Sequence, residues 1–172
     1  MIYTVECSFT NSASEAEWNN FYTLEKLPAL ISVSGFLTSQ RFKALSTGHP
    51  LYLAIHSIEN INILYGEEYR QKGGGNFSCW QQYITDWHRN LYEGLSCAPA
   101  ISKDEWLVIS TIGSEPLIEM GLEYYQLNAV ALDKYPEHCY LAKLTNSTSF
   151  YIDNFPKGIR LYAPMTVQLT NF

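Results

Sequence analysis

The sequence predicts an α+β fold. Three observations carry that prediction: strict alternation of apolar and polar residues over positions 2–10, helix-period stripes over 14–27 and 76–95, and a run of short strand-like segments after Trp106. The chain has 172 residues, of which 47% are hydrophobic and 16% charged. That balance excludes a disordered chain and fits one domain, or two half-domains sharing a core.

Each element has its own warrant. In the first strand Tyr3, Val5, Cys7 and Phe9 share one face, and Thr4, Glu6 and Ser8 the other. Ser14 and Glu17 form an S-x-x-E box that predicts a helix start. Trp18, Phe21, Tyr22 and Leu24 supply its apolar stripe, and Pro28 is expected to end or kink the helix near Leu27. Gly35 opens a second strand, roughly 36–45. Residues 46–50 read as a turn before a third strand over 51–58. A short helical stretch covers 61–70, and Gly73-Gly74-Gly75 reads as a flexible break.

Trp80, Ile84, Trp87, Leu91 and Leu95 then recur at steps of three and four, which predicts the cleanest amphipathic helix of the chain, with Ser78 and Gln81 as its capping box. Further strands are expected at 106–111, 123–132, 139–144 and 159–169, with 145–158 as loop or short helix. The resulting order over residues 2–112 is β-α-β-β-α-β, a ferredoxin-like arrangement. Residues 1–112 thus form a half-barrel unit, and 113–172 a β-rich second half packed on it. Residues 96–104 are the best candidate break between halves. A weak echo of pattern links residues 37–58 with 124–145, both strand-turn-strand units of similar length.

The net charge is −6, and Lys and Arg are scattered rather than clustered. Nonspecific phosphate binding, and so nucleic acid, is not expected. No apolar stretch approaches the ~20 residues of a membrane span. The N-terminus reads as a strand rather than a signal peptide, so a cytoplasmic location is expected. Cys7, Cys79, Cys97 and Cys139 have no metal-like spacing and read as free, mostly buried thiols. P-loop, G-x-G-x-x-G, H-E-x-x-H and G-x-S-x-G motifs are absent, so no cofactor or metal is expected.

The segment EAEWNNFYTLEKLPALISVSGFLTSQRF, with PLYLAIHSIE after it, resembles the dimeric α/β-barrel superfamily, and within it proteins similar to the EthD-like and stress-responsive barrel groups. The resemblance rests on Phe21-Tyr22, Glu25, Leu27-Pro28, Gly35-Phe36, Arg41 and Tyr52-Leu53-Ala54. Those families often place a histidine after the acidic residue, where this chain has Lys26. The resemblance implies two ferredoxin-like sheets closed into a barrel, usually across a homodimer, with a cavity for a hydrophobic small molecule. Its members include cyclases, cofactor-free monooxygenases, isomerases and proteins without known activity, so the fold alone names no reaction.

Candidate chemistry lies in three places. Glu6 and His56 sit on neighbouring strands, and a Glu–His pair in an aromatic cavity is a plausible general base. His88, beside the buried Trp87, flanks the apolar stripe of the predicted long helix. Glu25 is expected to point inward from the first helix and Lys26 to lie nearer solvent. Tyr3, Tyr52, Glu25, Lys26 and Trp87 are the expected substrate contacts, since phenols and indoles stack on aromatic ligands and donate a hydrogen bond. The expected function is cofactor-independent acid–base chemistry (cyclisation, isomerisation or dehydration) on an aromatic or polyketide-like molecule. The alternative is a non-catalytic binding or stress-response protein. An enzyme predicts a buried His–acid pair in a closed cavity, a binder the cavity without the pair, and a purely structural module a filled barrel.

Overall fold

The computed structural model describes residues 1–145 and 155–171. Its strands are β1 (Ile2–Phe9), β2 (Phe36–Ala44), β3 (Tyr52–Ile58), β4 (Ile84–Glu93), β5 (Glu105–Ser110), β6 (Tyr124–Leu132), β7 (His138–Thr145), β8 (Ile159–Pro164) and β9 (Leu169–Thr170). Short helices α1 (Glu15–Phe21), α2 (Leu27–Ile31), α3 (Glu67–Gln71) and α4 (Glu115–Glu119) lie between them. The loop or helix expected over 145–158 falls mostly on 146–154, outside the described residues.

Eight strands close into an antiparallel barrel in the order β3-β1-β4-β6-β7-β5-β8-β2, with β2 returning to β3. β9 extends the row by pairing with β2 at Thr38 and Ser39. The order has an internal repeat. β2-β3-β1-β4 and β6-β7-β5-β8 are the same pattern, joined at β4–β6 and β8–β2. The echo between 37–58 and 124–145 therefore joins the hairpins β2-β3 and β6-β7, which hold equivalent places. A single chain supplies the whole barrel, and its second half covers both free edges of the first.

Two sequence expectations change here. The long helix over 76–95 is instead a 3-10 turn (Ser78–Tyr83) followed by β4. Steps of four, such as 87 to 91 and 91 to 95, are even, so they suit a strand as well as a helix. Tertiary demand decides, because β1 needs a partner on its second side and β4 pairs there from Ile2↔Tyr92 onward. The fourth strand of the first half is therefore β4. The strand at 105–110 pairs with β7 and β8 in the second half.

The first helix also runs on past Pro28. A π-turn over Tyr22–Lys26 precedes α2, and Pro28 sits in the first turn of α2. Proline lacks an N–H, and a widened turn ahead of it lets the helix pass without a lost interior bond. The extra residue in that turn shifts which side chains face the sheet. Lys26 is buried and Glu25 is exposed, the reverse of the sequence expectation. Ser14 precedes α1 but makes no side-chain cap, because its backbone is not in the extended geometry that capping uses.

The barrel interior is filled. Ile2, Phe42, Leu53, Ile55, Tyr92, Leu107, Leu127 and Leu141 pack there, and the connection between halves adds Ala98 and Ile101. The Gln40 side chain donates to Ile101 O at 2.7 Å and accepts from Ile101 N at 3.1 Å. Ala98 N donates to Ser57 Oγ at 2.8 Å. The connection is thus sewn onto β2 and β3 through its own backbone groups. On the outer face of the first half, Trp18, Tyr22, Leu27, Leu30 and Ile31 press the helices onto β1 and β3. Arg41 fixes this layer: its guanidinium lies 4.1 Å from the Tyr22 ring centroid and donates to Asn19 Oδ1 and Thr23 Oγ1 at 2.8 and 2.9 Å.

Candidate functional site

The outer layer leaves a small cavity between the β3-β1-β4 sheet and the helices. Strand alternation aims Tyr3, Val5, His56, Trp87 and Arg89 at it, and the π-turn brings in Tyr22 and Lys26. The loop after α3 roofs it with Gly74, Gly75, Asn76 and Phe77. The free space is about 10 Å³, room for about one water molecule.

His56 is fully buried. Its Nδ1 lies 2.7 Å from Ser39 Oγ, its ring stacks on Tyr3 at 5.5 Å, and Phe36 meets it edge-on at 5.4 Å. Its Nε2 has no partner. Burial, reinforced by the nearby charge of Lys26, pushes the imidazole down to about 3, so the ring is neutral at neutral pH. In the tautomer in which Nδ1–H donates to Ser39 Oγ, Nε2 of the neutral imidazole keeps a free lone pair and can accept a proton; in the other tautomer Nε2–H is a donor. Trp87 Nε1 is a second buried polar atom without a partner at this cavity.

Lys26 is buried without a carboxylate partner. Its Nζ donates to the carbonyl oxygens of Gly73 and, at 2.6 Å, Asn76. It lies 5.4 Å from the Phe77 ring centroid. Desolvation pushes the amine down to about 8. Tyr3 and Tyr69 share a hydrogen bond of 2.9 Å, and burial, then the Tyr69 phenol, drives Tyr3 well above the usual phenol range. Arg89 stacks 5.0 Å from the Trp87 ring centroid. The lining thus combines one acceptor nitrogen with several donors, a pattern that suits a ligand with an acidic proton and an oxygen able to carry the resulting charge.

Of the residues expected from sequence, Tyr3, Lys26, His56 and Trp87 meet at this cavity. Glu6 does not reach His56. The register places Tyr3, not Glu6, opposite His56, and Glu6, an odd number of residues along β1 from Tyr3, sends its side chain through to the other face. Glu6 points into the barrel, where its Oε1 accepts from Arg160 at 2.7 Å and Tyr162 at 3.2 Å. The orienting partner of His56 is therefore Ser39. His88 lies on β4 at the surface, 3.6 Å from Asp133. Glu25 faces solvent, and Tyr52 packs on Trp18 while bonding Glu15 and Asn19 at the helix start. Ser39, Tyr22, Tyr69, Phe77 and Arg89 complete the site and were not among the site residues expected from sequence, although Tyr22 stood out in the first helix. Arg89 and Trp87 share a strand period, a signal hidden by the helical reading of that segment. Among the described residues no group of His, Cys, Asp and Glu is placed to hold a metal, and Cys7 and Cys139 are buried free thiols.

No protein-family model matches the chain, and no curated protein does. Solved structures do. An anthrone oxidase-like protein shares the fold with a TM-score of 0.60 at 8% identity, over 98% of this chain and 92% of that one. A candidate monooxygenase from Fusobacterium nucleatum gives 0.53 at 11% identity over 96% and 93%. Another from Lactobacillus acidophilus gives 0.50 at 9% identity over 96% and 94%. These likenesses establish a fold broadly of the dimeric α/β-barrel type. No helix among the described residues is long and apolar enough to cross a membrane.

Proposed function

We propose that this chain is a small-molecule enzyme that removes a proton from a phenolic or readily enolised aromatic substrate, with His56 as the base and no bound cofactor. One observation carries the reading: a buried, neutral histidine, held at Nδ1 by Ser39 and unpartnered at Nε2, lines a cavity rich in donors. Lys26, Arg89, the Trp87 indole N–H and the tyrosine pair are the groups suited to the oxyanion that proton loss leaves. The name of one structural neighbour, the anthrone oxidase-like protein, is in keeping with a substrate of anthrone type. There His56 Nε2 would take the proton from the ring CH₂. The carbanion then reduces dioxygen, and loss of water from the hydroperoxide leaves a ketone, so CH₂ and O₂ become C=O and H₂O. The same first step serves isomerisation or cyclisation.

We read each half of the barrel as ferredoxin-like, divided within 96–104. Kinship with the EthD-like and stress-responsive groups stays part of this proposal, resting on Phe21-Tyr22, Glu25 and Leu27-Pro28. Homodimerisation, if it occurs, adds to a barrel that is already closed. The second reading, a non-catalytic binder, is favoured by a cavity without an acid beside His56, and the filled barrel interior is the outcome expected of a purely structural module. The test is deuterium exchange at the ring CH₂ of a phenol-bearing anthrone under anaerobic conditions, followed by oxygen uptake in air. His56→Gln should slow both by about 10²-fold or more, the usual contribution of a general base, and His88→Ala should slow neither. Equal rates for His56→Gln and the wild type would refute the assignment and leave the binder.

A further inference from the structure

The cavity as it stands admits nothing larger than a water molecule. An aromatic ligand therefore needs one wall to move. The sheet wall is part of a closed barrel. The helix wall is pinned by Arg41, Trp18 and Leu27. The remaining wall is the loop 72–77, and its attachment is of another kind. Lys26 Nζ reaches across to two of its carbonyl oxygens, at Gly73 and Asn76. Gly74 lies flat against the Tyr69 ring, so close that a Cβ there would come within 2.3 Å of it. Phe77 closes the end against Trp87, with ring centroids 5.5 Å apart.

We propose that loop 72–77 is a lid latched by Lys26, and that Lys26 makes the lid selective for ligands bearing an ionised oxygen. The inference rests on the reading that this cavity receives the substrate, and it narrows that substrate to one carrying an ionised phenol in addition to the CH₂ from which His56 takes the proton. The argument is one of exchange. Lys26 is buried, and its ammonium has no carboxylate to hold it. Its two carbonyl partners neutralise none of its charge. A phenolate or enolate entering beside it offers a full negative charge in a low-dielectric site, where such a contact is worth more than a bond to a neutral carbonyl. The ammonium turns to the ligand, and the lid loses both bonds to Lys26. A neutral ligand of the same shape gives Lys26 no reason to let go. It meets a closed lid.

The probes are 4-nitrophenol near neutral pH, where a large share of it is ionised while the Lys26 amine keeps its proton, and 4-nitroanisole as its neutral counterpart. Opening is read by amide hydrogen exchange at Gly74 and Phe77, whose N–H groups are bonded to Tyr69 O and Gln81 Oε1. 4-Nitrophenolate should speed exchange there by about tenfold or more, and 4-nitroanisole should leave it unchanged. Lys26→Met should show the fast exchange without any ligand and should lose affinity for the phenolate. Gly74→Ala, which pushes the lid off Tyr69 while keeping Lys26, should open the lid but retain the phenolate. Unchanged exchange in Lys26→Met refutes the latch. Equal opening by 4-nitroanisole refutes the selectivity. These readouts need no turnover, so a lid that opens for 4-nitrophenolate in a protein that exchanges no deuterium into its substrate separates failure of the base from failure of the lid. If neither probe binds, both proposals fall.

Discussion

The burial of His56 makes a stability prediction that needs no substrate. Its imidazole titrates near 3 in the folded protein and near 6.5 when unfolded. Between those values the unfolded chain binds a proton that the folded chain does not, so stability falls as pH drops through 6.5 and levels off near 3. At pH 4.5 the unfolded state is favoured by the two units between 6.5 and 4.5, and at pH 7 by almost nothing. At about 1.4 kcal/mol per unit, His56 alone should cost about 2–3 kcal/mol between pH 7 and pH 4.5. The perturbation is His56→Gln, which keeps a polar side chain beside Ser39 and does not titrate. The assay is urea unfolding of both proteins at the two pH values. Carboxylates titrate alike in both, so the difference of differences isolates His56. The wild type should lose about 2–3 kcal/mol more than the variant. Lys26→Met should narrow that gap, since the Lys26 charge is the second cause of the depressed imidazole. Parallel losses in wild type and His56→Gln would refute the burial argument, and with it the claim of a neutral base at this site.

Two other perturbations test the barrel. Gln40→Ala leaves the buried N–H and C=O of Ile101 without their partner, and urea unfolding should show a loss of about 2–4 kcal/mol. A loss below about 0.5 kcal/mol would mean that the connection is not held by Gln40. Glu6→Leu leaves Arg160 unpaired inside the barrel wall and should cost about 3–5 kcal/mol, whereas Glu6→Leu with Arg160→Met should recover much of it. A double variant no more stable than the single one would show that the pair matters for more than its charge.

Most of the first half was legible in the sequence because its strands obey a period of two that nothing else imitates. β1 is the clearest case, with Tyr3 and Cys7 against the helices and Ile2 and Glu6 toward the barrel. β4 was not legible for a definite reason. Trp87 and Leu91, which pack on the helix side, fall four apart, a spacing that a helix also allows, and only the need of β1 for a second neighbour settles the choice. The site was half legible. Tyr3, His56 and Trp87 stand out by type and pattern, but the roles of Lys26 and Glu25 turn on a π-turn, and no local signal shows on which side of Pro28 the widening occurs. Glu6 and His56 looked like partners by type. Register, a long-range property, separated them.

The connection over residues 94–104 has a consequence for how the barrel behaves in dilute solution. In a barrel made from two identical halves, closure is a bimolecular event, and its midpoint of unfolding drifts with protein concentration. Here the second half is tethered to the first, so closure is governed by an effective concentration that dilution leaves untouched. The tether is also part of what it joins, since Ala98 and Ile101 lie in the interior that closure creates. A cut there would do more than untie two pieces. It would free the ends of a segment that fills the space between them, and the halves, even mixed at high concentration, would have to recruit that filling again before they could close.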